Sequence, residues 1–242
     1  LADTRSEISS KPVFRRAPGA WLRRKLKLKL NDLMGPIGLR VFDRVDFTAL
    51  RSPTEFAHIL DVGVAFGTPD LWQRYPNAFL DLFEPSPRFY AGLEQGVLKA
   101  RAGRLHKVAL GSENGEAEFH LSGPASSSLL GTADKPGRTF PTIRVPVRRL
   151  DALLTPAEIK RPCMLKIDTE GYELAVLKGA EGILPAVDCV MVELHFGKPY
   201  AYAPQHVLDL LARHGFALTD MLDHEVSNGR VVCSDFVFER RA

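Results

Sequence analysis

From about residue 56 onward, short apolar runs that stop at acidic residues or glycine alternate with segments whose apolar positions recur every three to four residues. Such runs read as strands buried on both faces, and the recurrent segments read as helices packed against them. Ile59, Leu60 and Val62 form the first strand, ended by Gly63 and Gly67, with a helix over roughly Pro69–Arg74. The run 78–85 (AFLDLFEP) is the second strand. Pro85-Ser86-Pro87 then opens a helix through Leu98. His106–Leu110 reads as a third short strand with a loop after it at 111–115. Two segments alternate strictly, Ala117, Phe119, Leu121 and Ile143, Val145, Val147, and predict a half-exposed hairpin. Between them, 123–140 is rich in Ser, Gly and Pro and reads as a mobile cover over a site. A helix from Leu150 precedes the strand around Leu165 and Ile167. The next helix buries Leu174, Leu177 and Ala180 and stops at Gly179. Val187–His195 is a fifth buried strand, Gln205–His214 a helix with Val207, Leu208, Leu210 and Leu211 inward. Phe216–Leu222 and Ser234–Glu239 close the chain as two strands joined through Ser227-Asn228-Gly229. Strands alternating with helices and then two consecutive strands predict an α/β fold with a mostly parallel sheet and an antiparallel edge.

The first 53 residues have a different character. Residues 1–20 are polar, and Trp21–Leu33 sets leucines among basic residues, compatible with a basic amphipathic helix. Two domains follow: 1–53, a basic arm and helix, and 54–242, an α/β domain with a β-hairpin and loop insertion near 112–148. The net charge of +3 and pI near 8.8 come largely from the first part, leaving the α/β body close to neutral. The basic segment either lies on an anionic membrane face or acidic partner, or packs its leucines on the main domain. Apolar runs fall short of the ~20 residues that span a bilayer. Cys163, Cys189 and Cys233 stand apart without CxxC spacing, as buried thiols in a reducing cytoplasm would. The expected location is cytoplasmic, peripheral to the inner membrane face if the basic helix docks there, with no nucleic-acid partner.

In open α/β sheets, ligands bind beyond the carboxyl ends of the strands. Asp168 and Glu170 stand where one strand stops, and Glu193 and His195 where the next does. Glu84 ends the second strand about 20 residues past the glycine turn, the spacing at which an acidic residue accepts ribose hydroxyls. The competing account of Asp168, Thr169, Glu170 and Glu173 is purely local: caps and charges complementing a helix N-terminus.

The order ILDVGVAFG, FEP, VALGSENGEAEFHL, SSSLL, LDALL, LKIDTEGYELAVLKGA, VELHF strongly resembles the FkbM family of S-adenosylmethionine-dependent methyltransferases, over roughly Ile59–Glu239. The chain departs from the family pattern at Val64-Ala65-Phe66, where a small residue and Asn usually follow the first glycine. The resemblance implies a Rossmann-like class I methyltransferase fold, seven strands with the last antiparallel and helices on both faces, binding S-adenosylmethionine. It implies that Asp61, Gly63 and Gly67 cradle the amino-acid part of the cofactor, Glu84 the ribose, and Ser112 with nearby backbone the adenine. Asp168 would lie where cofactor and acceptor meet. The implied reaction is O-methylation of a hydroxyl on a sugar or glycan-containing acceptor. Alcohols need help losing a proton, and His195 is the best-placed base. Mg²⁺ held by Asp168, Glu170 and Glu193 is the other means of activation. Two further readings fit the same residues: a nicotinamide-dependent oxidoreductase, and a non-catalytic binding or scaffold protein.

Overall fold

The computed structural model describes residues 55–121, 127–129, 140–197 and 200–241. The basic arm and helix within 1–53, and most of the 123–140 segment, lie outside the described residues.

A mixed sheet of seven strands is built from β1 (His58–Val62), β2 (Phe79–Phe83), β3 (Gly103–His106), β7 (Cys163–Ile167), β8 (Cys189–His195), β9 (Phe216–Ser227) and β10 (Arg230–Arg240). Their order is β3-β2-β1-β7-β8-β10-β9, parallel except for β10, which runs antiparallel to both neighbours. This is the arrangement the resemblance implies. It also differs from the dinucleotide-binding order 3-2-1-4-5-6 in carrying an antiparallel hairpin at one edge. A second, three-stranded sheet joins β4 (Ala109–Leu110), β6 (Thr142–Arg148) and β5 (Gly115–His120).

Side chains alternate across the main sheet and so feed two separate cores. Leu60, Val62, Leu165, Ile167, Val190 and Val192 point to one, beneath α4 (Glu173–Gly179) and α5 (Pro204–Arg213). Ile59, Leu80, Leu82, Met164 and Met191 point to the other, beneath α1 (Pro69–Arg74) and α2 (Pro87–Gly92), which runs on through a π-turn at Leu93–Val97. The helix α3 (Leu150–Leu153) is a single turn. The same alternation puts polar Asp61 and Lys166 on the second face, directly opposite each other across β1 and β7.

Three sequence expectations change. His106–Leu110 is not one strand: His106 ends β3 of the main sheet, while Ala109 and Leu110 pair with β6 in the small one. The closing strands are longer than their apolar cores, because polar residues extend the hairpin to Ser227 and Arg230. Gly179 is the last helical residue, not a left-handed stop. A side chain there would meet the Gly111 carbonyl, 2.0 Å from an added Cβ, so glycine is required by close packing. The three cysteines are free and buried, as expected.

Away from the carboxyl ends, the buried Asp81 carboxylate accepts from Arg104 Nε and Nη2 at 2.7 Å and from the imidazoles of His58 (2.9 Å) and His106 (2.8 Å). Burial alone would raise its pKa, but the bonds from His106, His58 and Arg104 outweigh that and hold it well below the usual range. This node ties β3 and β1 to β2.

Candidate active site

A cleft of about 550 Å³ opens at the carboxyl ends of β1, β2 and β7, lined among others by Gly63, Ala65, Glu84, Asp168 and Glu170. The glycine turn is shaped by its neighbours. At Gly63 (φ 79°) an added Cβ would lie 1.8 Å from the Asp168 carbonyl, so only glycine lets the β1 and β7 ends come together. Ala65 follows in the left-handed region at φ 46°. Its N–H donates to Glu84 Oε2 at 2.8 Å, and the Ser86 N–H donates to Oε1 at 2.8 Å. Glu84 is thereby pinned across the turn, 3% exposed. Burial pushes its pKa up to about 7, although both backbone bonds pull the other way. The unusual Phe66 turns aside, its ring edge-on to Phe89 at 4.8 Å.

Asp61 is fully buried. Its Oδ2 accepts from Trp72 Nε1 at 2.9 Å, and among the described residues Oδ1 has no hydrogen-bond donor. Lys166 Nζ lies 3.8 Å from that oxygen and donates to Asp168 Oδ2 at 3.1 Å. Burial lowers the Lys166 pKa, but Asp168, Asp61 and Asp235 outweigh it and the net shift is upward. Lys166 is therefore a fixed cation that spaces Asp61 from Asp168. Sequence reading missed its role, yet a single lysine inside an apolar strand is itself a signal, since such a group is buried only when paired.

The turn after β7 is held by α4. Glu173 Oε1 accepts from the N–H groups of Thr169 (3.1 Å) and Gly171 (2.8 Å) and from the Thr169 hydroxyl (3.1 Å), and Tyr202 donates its hydroxyl to Oε2. Glu170 sits in the left-handed region at φ 56°. Ser128 donates to the carbonyls of Thr169 (3.3 Å) and Glu170 (3.0 Å). The capping account fails for Asp168, since the helix starts after Tyr172 with no side-chain cap and Asp168 bonds Lys166. It holds for Glu173 in another form.

At the end of β8, His195 Nε2 is 2.9 Å from Glu193 Oε2, 3.6 Å from Glu170 Oε2 and 3.9 Å from Cys233 Sγ. The Tyr200 ring stands edge-on to the imidazole at 5.6 Å. Burial, then Asp168 and Asp235, push the Glu193 carboxyl well above the usual range. The structure thus brings Gly63, Glu84, Asp168 and Glu170 to one cleft and His195 and Glu193 against Glu170. Asp61, Gly67 and Ser112 are not among the lining residues of that cleft: Asp61 is buried behind the glycine turn, the Ser112 carbonyl accepts from Arg149 (2.8 Å), and Ala109 and Leu110 line the wall instead. Asp168, Glu170 and Glu193 do not form a single ligand set for a hard cation. Among the described residues, the group whose donor atoms converge is Glu193, His195 and Cys233.

Residues 61–218 match the profile described as the methyltransferase FkbM domain. The chain belongs to the FkbM methyltransferase family. Relatives of this FkbM protein include the hexuronic acid methyltransferase AglP of Haloferax volcanii, 31% identical over 139 residues, 57% of this chain and 55% of that protein. The 2-O-methyltransferase NoeI of Sinorhizobium fredii is 29% identical over 150 residues, 56% of this chain and 62% of that protein. The chain therefore spans little more than half the length of these relatives. Among solved structures it aligns with magnesium protoporphyrin IX methyltransferase from Synechocystis PCC 6803, at a TM-score of 0.46 and 8% identity over 95% of this chain and 88% of that one. Among the described residues, no helix is long and apolar enough to cross a membrane.

Proposed function

We propose that this FkbM protein transfers the methyl group of S-adenosylmethionine to a hydroxyl of a sugar or glycan-containing acceptor. The observation that carries the reading is the meeting, at one end of the sheet, of a glycine turn bonded to Glu84 with the Asp168–Glu170 turn and the Glu193–His195 pair. The residues suit the cofactor. Glu84 offers remaining lone pairs to ribose hydroxyls, and the donor-free Asp61 Oδ1 suits an ammonium or a water that carries it. Bound there, S-adenosylmethionine supplies an electrophilic methyl on a sulfonium. The protein's part is to align the acceptor hydroxyl and take its proton. Glu193 Oε2 and His195 Nε2 lie 2.9 Å apart, and this pair of side chains is the acceptor of that proton, with Asp168 and Glu170 orienting the hydroxyl. The Tyr200 ring beside His195 gives an apolar surface next to these carboxylates, and sugars carry both kinds of surface. The names of the two relatives, one acting on a hexuronic acid and one a 2-O-methyltransferase, point to the same acceptor class. Incubation with labelled S-adenosylmethionine and a panel of uronic acids, nucleotide sugars and glycan fragments tests the reading. No cofactor binding by calorimetry, or label transferred only to protein or nucleic acid, overturns it.

Glu84 gives the reading a pH signature. Ribose hydroxyls donate to the ionised carboxylate, so binding favours deprotonated Glu84, which in the free protein takes up a proton near pH 7. Affinity for S-adenosylhomocysteine is then flat above about pH 7 and falls below it, by at most tenfold per pH unit. Glu84→Gln should remove this slope and weaken binding by about 1.5–3 kcal/mol. An unchanged slope in the variant takes Glu84 out of the site.

The basic segment Trp21–Leu33 completes the proposal as a docking element for anionic membrane surfaces or an acidic partner. Protein starting near Arg51 should bind cofactor as the parent does and lose retention on phosphatidylserine vesicles in flotation assays. Unfolding of the shortened chain would place those leucines in the core instead.

A further inference from the structure

The alternation of β8 puts Glu193 and His195 on one face, and the antiparallel register sets Cys233 opposite His195 and Asp235 opposite Glu193 on that same face. Three donor side chains from these two strands converge there, with Glu170 at their edge. Around the single atom His195 Nε2 stand Glu193 Oε2 at 2.9 Å, Glu170 Oε2 at 3.6 Å and Cys233 Sγ at 3.9 Å. In a tetrahedral site with Zn–N and Zn–O bonds near 2.0–2.1 Å and Zn–S near 2.3 Å, neighbouring ligand atoms are about 3.3–3.6 Å apart. The Glu193 and Cys233 separations bracket that value, and the donor atoms of Glu193, His195 and Cys233 all lie within 4.8 Å of one another, so rotation of the side chains can bring the three onto one ion. The ligands are also sheltered: His195 is 8% exposed at its side chain, and Cys233 is buried.

Charge around the cluster favours a cation. Asp168 and Asp235 both act on Glu193, and the fixed positive charge facing these carboxylates is Lys166. A thiol, an imidazole and carboxylates form a mixed soft and hard donor set, which selects ions such as Zn²⁺ and Co²⁺ over Mg²⁺, whose preferred shell is oxygen. We propose that Glu193, His195 and Cys233 form a binding site for a borderline divalent cation of the Zn²⁺ class, with the fourth position left to water. Binding displaces the proton carried by the Glu193–His195 pair and the Cys233 thiol proton, which pass to solvent, and forms metal–oxygen, metal–nitrogen and metal–sulfur bonds without any redox change. Because the ion is held by the same two side chains, it competes with proton acceptance by the Glu193–His195 pair. That last consequence rests on the proposed methyl-transfer reading; the binding site does not.

The test uses the full chain freed of metal by chelation, without methyl donor or acceptor, and titrates it with Co²⁺. One equivalent is expected to give the visible bands of a tetrahedral ion with a near-ultraviolet thiolate-to-cobalt charge-transfer band. One equivalent of Zn²⁺ should abolish both, while excess Mg²⁺ leaves them in place. Cys233→Ser should remove the charge-transfer band, and His195→Gln and Glu193→Gln should each weaken Co²⁺ binding at least about tenfold, the smallest loss seen when even a supporting partner of a ligand is removed. X-ray absorption of the Zn²⁺-loaded parent provides a check that needs no variant, with one sulfur and the rest nitrogen or oxygen in the first shell. Absence of a tetrahedral Co²⁺ spectrum, a charge-transfer band that survives in Cys233→Ser, or a zinc shell without sulfur overturns the proposal. A Co²⁺ titration that fails while labelled methyl transfer persists would remove the metal site and leave the methyl-transfer reading intact.

Discussion

Asp168→Asn is expected to lower methyl transfer at least ~10²-fold, the lower end for a group acting in the transition state, while the protein remains folded and binds S-adenosylhomocysteine. Asparagine keeps the shape and one oxygen for Lys166, so the bond now at 3.1 Å can persist. Lys166 would still face Asp61 at 3.8 Å, and the cation is not left alone. What disappears is a negative charge at the mouth of the cleft, where the acceptor hydroxyl loses its proton. Lys166→Met makes the contrast. It leaves Asp61, which is 0% exposed, facing Asp168 without a cation, and breaking a buried pair in this way costs roughly 3–5 kcal/mol. The first variant should therefore show a parent-like melting curve with little turnover, and the second a lowered melting temperature. Measured single-turnover rates at saturating S-adenosylmethionine separate the two. Parent-rate transfer by Asp168→Asn would reduce the carboxylate to a partner of Lys166 and nothing more.

The parts of this molecule legible in its sequence are those governed by local pattern. Apolar runs gave the parallel strands of the sheet to within a few residues except around His106–Leu110, where two strands of different sheets are separated by so few residues that they read as one. Glu84, Asp168 and Glu170 could be placed because a strand's end is visible as a change from apolar to acidic residues. What stayed hidden depends on register between distant segments. Cys233 lies beside His195 because β10 pairs with β8 in one alignment out of several, and no short-range pattern fixes which. The donor set beside the cleft thus includes a thiol that an all-oxygen expectation for Mg²⁺ did not contain. Glu173 was read as a charge complementing a helix end, whereas its side chain turns inward and holds the preceding loop. The distinction is one of rotamer and burial, and a sequence carries neither.

Glu173 leads to the second large effect. Its carboxylate is 0% exposed and gathers the Thr169 N–H and hydroxyl, the Gly171 N–H and the Tyr202 hydroxyl. Glu173→Ala would strand those buried donors, and with bonds to a charged group at stake the expected loss is about 3–5 kcal/mol. For a domain of this size that lowers the melting temperature by roughly 10 °C. Glu173→Gln keeps one oxygen for the two N–H groups and offers an amide to Tyr202, so its loss should be about 1–2 kcal/mol. The effect extends to the site, because the same carboxylate holds the turn that keeps Glu170 at φ 56° against His195. In Glu173→Gln, cofactor affinity should stay near the parent value while turnover falls, since Glu84 and the glycine turn belong to β1 and β2 and do not touch Glu173. Thermal melts followed by circular dichroism, with calorimetry on the folded variant, check both halves. A Glu173→Ala protein melting within ~2 °C of the parent, less than about 1 kcal/mol at this size, would show that the loop holds its shape without this carboxylate. The positioning of Glu170 would then have to come from Ser128, whose hydroxyl donates to the Glu170 carbonyl at 3.0 Å.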